Sequence, residues 1–118
     1  MDNKAANPIE EKSFKFAVRI VKFSKYLRLE CKEYDLASQI LRSGTSIGAN
    51  VSEAQYAQSK RDFASKMHIA LKEAYETNYW LKLLIASDII PKEALEVIIT
   101  DLQELLKILT SIVKSTNE

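Results

Sequence analysis

Apolar residues recur along this chain at spacings of three and four, which is how a helix keeps one face buried. Near the N-terminus Phe16, Ile20, Phe23 and Leu27 form one such row, at +4, +3 and +4. Phe14, Ala17, Val18 and Val21 form a second row, about 130° away on the helical wheel. A surface helix needs one apolar stripe. Two predict a first helix covered on two sides, by its own bundle and by another subunit. Asn7 is placed to cap it, Pro8 suits its first position, and Glu10 and Glu11 favour its positive end. The helix is expected over 8–30, behind a flexible polar lead-in, 1–7.

In the second helix, expected over 35–57 with Asp35 as N-cap, Leu36, Ile40, Ile47, Val51 and Ala54 stay within about 60° on the wheel. The chain's only two glycines, Gly44 and Gly48, lie inside this run. A loop at either would reset the phase, so the pattern predicts a continuous helix through both. Each glycine costs about 1 kcal/mol against alanine there. Close helix approach is the reason they suggest: Ala37, Leu41, Gly44 and Gly48 make a ridge on which another backbone can lie. A third row, Gln39, Arg42, Ser46, Asn50 and Glu53, is polar with little bulk.

Ser59 opens a third helix with Asp62 three residues on, a variant of the capping box. Its seam is Phe63, Met67, Ala70, Ala74, Thr77, Leu81 and Leu84. Pro91 marks the opening of a fourth helix, with Leu95, Ile98, Leu102, Leu105, Leu109 and Ile112 as its seam. Short connections make consecutive helices antiparallel, so the expected fold is all-α: an up-down-up-down four-helix bundle forming a single domain over 8–118.

Composition narrows the function classes. The 118 residues carry a formal net charge of +1, which gives no bulk attraction to nucleic acid. Locally, Lys12, Lys15, Arg19 and Lys22 form a basic stripe, a solvated face or a phosphate contact. The single cysteine, Cys31, excludes an internal disulfide and suits a reducing, cytoplasmic setting. No apolar run approaches the ~18 residues of a membrane span, and the polar N-terminus does not read as a signal peptide.

Catalytic constellations are missing from the pattern. The single histidine, His68, excludes a His-pair metal site, and Ser65 stands where a Glu-x-x-His motif would need its acid. His68 lies on the row His68, Lys72, Tyr75, Tyr79 and Lys82, a solvated or interface face. Glu73 and Glu76 at i, i+3 are expected to pair with Arg42 or Lys82. The glycine segment lacks the Gly-Lys-Ser/Thr of a phosphate loop. No cofactor, metal site or enzymatic activity is expected. Trp80 either packs beside Leu81 and Leu84 or, with Tyr56, Tyr75 and Tyr79, serves an interface.

The segments 14–21 (FKFAVRIV), 39–53 (QILRSGTSIGANVSE), 62–63, 69–77 and 80–81 resemble the four-helix-bundle proteins associated with intervening sequences in bacterial 23S rRNA genes. The helix 2 segment is the specific part, with Arg42, Ser43, Gly44, Ser46, Gly48, Asn50, Glu53 and, on helix 3, Glu76 as the motif positions. That family includes accessory proteins of diversity-generating retroelements, strongly basic pentamers that bind a reverse transcriptase and nucleic acid. The resemblance implies a bundle that assembles into a homo-oligomer, with a pentamer as the borrowed number, serving as a scaffold or accessory protein. The alternative it implies is nucleic-acid binding, for which this chain offers Lys12, Lys15, Arg19, Lys22 and Arg42.

Overall fold

Helix termini are where the sequence fixes the chain most locally. The structure, a computed structural model, describes residues 7–117. The Asn7 side chain accepts a hydrogen bond from the Glu10 N–H at 3.4 Å and opens α1, Pro8–Leu29. Residues 1–6 of the expected lead-in, and residue 118, lie outside the described residues. Ser59 caps α3, Lys60–Ala86, accepting from the Asp62 N–H at 3.0 Å. Asp62 answers by accepting from the Gln58 N–H at 3.3 Å.

The start of α2, Asp35–Ala54, corrects one expectation. Asp35 is the first helical residue rather than the cap, and the Leu36 N–H is met by the Glu33 carboxylate at 3.2 Å. A longer side chain two residues upstream reaches the same orphan donor. The helix also ends at Ala54 rather than near 57, in backbone bonds from Gln55 and Tyr56 to the preceding turn. Before α4, Glu96–Thr116, Pro91 introduces a short 3-10 turn, Lys92–Leu95.

Both tight turns out of α1 and α3 use a left-handed residue, and neither is glycine. Lys32 has φ 57° and Asp88 φ 58°. After α3 the Ile89 N–H returns to the Leu84 carbonyl at 3.1 Å and the Asp88 N–H to the Ile85 carbonyl at 3.0 Å, a Schellman closure, while after α1 the Glu33 N–H reaches back to the Leu27 carbonyl at 2.9 Å in a turn one residue wider. The chain therefore keeps both glycines for helix contact.

The helices form an antiparallel four-helix bundle in which α1 lies against α2 and α4, and α3 against α2 and α4. The molecule is 43 Å long, matching the ~40 Å that 27 residues of α3 span at 1.5 Å each. Phe16, Ile20 and Leu27 meet Ile40 and Ile47, Met67, Leu81 and Leu84, and Leu102, Leu105 and Leu109 in a closed core. In the last turn of α4, Val113 rather than Ile112 takes the buried position. Of the four seams, α1–α4 is the most loosely packed.

Candidate functional site

Two faces of α2 carry the residues singled out by pattern. On the first, α1 lies close. A Cβ built on Gly44 would stand 2.8 Å from Cγ2 and 2.9 Å from Cγ1 of Ile20. One on Gly48 would stand 3.1 Å from the Ser13 carbonyl oxygen. Further along, the buried Ser24 hydroxyl donates to the Ala37 carbonyl at 3.0 Å. The small ridge is a surface of direct helix contact, and both glycines stand where a methyl group would crowd α1.

The other face meets α3 through polar groups. Arg42 pairs with Glu73 at 3.4 Å and hydrogen-bonds Glu76. Glu76 also accepts from the Trp80 indole N–H at 3.1 Å, which leaves Trp80 half-buried against the core with its donor satisfied. The guanidinium hydrogen bond holds the Glu76 carboxyl below the usual carboxylate range, the Trp80 bond adds to this, and partial burial opposes both. The same bond raises Arg42. Such a clamp joins two helices through charge-assisted bonds.

Beneath it, the fully buried Ser43 and Thr77 hydroxyls are 2.9 Å apart, and the Thr77 hydroxyl lies 2.8 Å from the Glu73 carbonyl. With one proton, Thr77 donates to that carbonyl and accepts from Ser43. Asn50 donates to the Ser46 carbonyl at 2.9 Å, a bond within α2. Glu53 pairs with Lys66 of α3 at 3.2 Å. Among the described residues no buried side-chain polar atom lacks a partner.

The basic stripe of α1 has a different setting. Lys12 pairs with Glu104 at 3.1 Å and Arg19 with Asp101 at 3.1 Å, both across the seam with α4. Lys15 pairs with Glu11 at 3.5 Å on its own helix, and Lys22 is exposed. Sequence reasoning missed these α4 acids as partners. Their i, i+3 spacing was visible, but which helix they faced depended on the bundle register. Arg42 is turned toward α3, so the five basic candidates do not converge. His68 is exposed, and among the described residues no group of His, Cys, Asp or Glu is placed to hold a metal.

The surplus apolar row of α1 stays uncovered. Phe14 is 69% exposed, Val18 41% and Val21 43%, on the side of α1 opposite Phe16, Ile20 and Leu27. Ala17 borders the row, half-buried toward α2. Among the described residues no helix is long and apolar enough to cross a membrane.

A family model described as 23S rRNA-intervening sequence protein matches residues 6–111. A crystal structure from Bacteroides thetaiotaomicron, of a protein with unknown function from the S23 ribosomal protein family, is 55% identical to this chain. The match covers 90% of this chain and 98% of that one, with a TM-score of 0.87. No curated protein matches. Neither description names an enzymatic activity.

Proposed function

The chain belongs to the 23S rRNA-intervening sequence protein family, and from that membership we propose that it is a non-enzymatic, self-assembling bundle serving as a homo-oligomeric scaffold or accessory protein. The observation that carries this reading is the apolar row Phe14, Val18 and Val21, pointing away from the core it has no part in. An aromatic side chain presents roughly 150–250 Å². At 69% exposure Phe14 alone offers a partner about 3 kcal/mol of apolar burial at 25 cal/mol/Å². A second copy of the chain is the proposed partner, and a pentamer the assembly to test for. The clamp and the glycine contact give each subunit a rigid frame on which to present this row. A cytoplasmic location fits the single thiol, Cys31.

Nucleic-acid binding through Lys12, Lys15, Arg19, Lys22 and Arg42 is the weaker reading. Three members of the α1 stripe already face carboxylates, and Arg42 is engaged by Glu73 and Glu76. Light scattering of the purified chain tests the main reading. A molar mass several times the 13.4 kDa of one chain at micromolar concentration is expected. A single-chain mass there rejects it.

A further inference from the structure

The balance of +1 conceals a segregation of charge. From Lys12 to Arg28 the chain carries six basic residues and no acid. From Asp88 to Glu104 it carries five acids and a single base, Lys92. The two segments meet along the α1–α4 seam, where Lys12 pairs with Glu104 and Arg19 with Asp101. Toward the other end of that seam the pairing stops. Seven residues beyond Arg19 the α1 row reaches Tyr26, and four before Asp101 the α4 row reaches Val97. Both are exposed, at 50% and 57%. Beside Val97 stand Glu93 and Glu96, exposed and without an ionic partner among the described residues. Lys22 and Lys25 are in the same condition, each four residues beyond Val18 and Val21 of the outward α1 row.

A two-fold interface would lay the α1 row of one copy on the same row of its partner. Lys15, Lys22 and Lys25 would then meet the same three lysines. The acids near them are Glu10, half-buried in the first turn, and Glu11, already paired with Lys15 at 3.5 Å. Like charges brought together at an interface oppose it. The Tyr26–Val97 patch supplies what the row lacks: apolar surface for Phe14, Val18 and Val21, and Glu93 and Glu96 for Lys22 and Lys25. We infer that the α1 row of one copy docks on the Tyr26–Val97 patch of the next, head to tail. This rests on the self-association proposed above and adds its receiving surface and its symmetry. The two surfaces lie on different sides of α1, the row bordering α2 through Ala17 and the patch lying on the α4 seam. Each copy therefore gives one surface and receives on the other. Repetition closes a ring or runs on as a filament, and does not stop at a two-fold dimer.

Sedimentation of the full chain beside charge-reversed variants tests the pairing. Glu93→Lys with Glu96→Lys should lower the mass from the wild-type multimer to the 13.4 kDa of one chain. Lys22→Glu with Lys25→Glu should do the same, and the four changes in one chain should restore the multimer. Val97→Lys should also dissociate it. All these positions are exposed, and circular dichroism checks that each variant stays helical. Row-to-row packing gives the opposite result: reversing Lys22 and Lys25 would set them against Lys15 of the partner and keep or raise the mass, and the Glu93 and Glu96 changes would do nothing. A multimer that survives Glu93→Lys with Glu96→Lys overturns the head-to-tail inference and leaves self-association standing, as does a four-fold variant that stays a single chain. A wild type of single-chain mass overturns both.

Discussion

Gly44→Ala is the smallest change that tests how α1 and α2 are held together. The new Cβ would stand 2.8 and 2.9 Å from the two γ-carbons of Ile20, closer than carbon atoms approach. Ile20 is fully buried and β-branched, so its rotamer in the helix is nearly fixed. Relief must come from moving α1 and α2 apart by some tenths of an ångström. Overpacking of this kind costs about 1–3 kcal/mol, while replacing glycine by alanine in a helix returns about 1 kcal/mol. The net expectation is a destabilisation of about 0–2 kcal/mol. Ile20→Ala removes both clashing carbons and by itself costs about 2–5 kcal/mol. In that background Gly44→Ala should stabilise by up to about 1 kcal/mol, so the sign of the effect reverses. Urea denaturation reads each step as a midpoint shift at constant slope, at one fixed protein concentration because association adds to stability. Equal stabilisation by Gly44→Ala in both backgrounds would refute the close-contact account of the glycines.

Arg42→Ala leaves Glu73 and Glu76 without their counter-ion and should cost about 1 kcal/mol near neutral pH, the upper range for exposed pairs. Because Arg42 lowers the Glu76 pKa in the folded state, the bond contributes fully above the unfolded carboxylate value of about 4.3 and is lost as pH falls through the lower folded value. Melts of the two proteins should therefore converge in strong acid, and a difference that persists there contradicts the clamp. Ser43→Ala leaves the buried Thr77 hydroxyl bonded only to the Glu73 carbonyl and should cost about 1 kcal/mol. Adding Thr77→Val should cost less than its effect alone, and strictly additive losses by urea denaturation would show the two hydroxyls to be uncoupled.

The four helices and their seams were legible because each depends on spacing within one segment. Asn7 and Ser59 were legible as caps for the same reason, and the missing slot for a loop at Gly44 was a matter of phase. Arg42 with Glu73 and Glu76 was readable as a pairing because α2 and α3 are consecutive and antiparallel. What the pattern lacked was register between non-consecutive helices. Asp101 and Glu104 turn the α1 stripe from a free basic face into half of a charged seam, and only the placement of α4 against α1 decides that. The same gap hid the exposed patch, since Tyr26 and Val97 share a seam only once α1 and α4 are aligned. Cap details such as Glu33 serving in place of Asp35 turned on side-chain reach, which spacing does not encode.

The central claim is that the outward row of α1 is where one copy of the chain meets another. Sedimentation of the wild type beside Phe14→Glu with Val18→Glu tests it most directly. Both residues are exposed in the single chain, so the variant should keep its helical circular dichroism and its cooperative melt. The account predicts a multimer for the wild type and a single-chain species for the variant. A wild type that sediments as one chain, or a variant that keeps the wild-type mass, would contradict it.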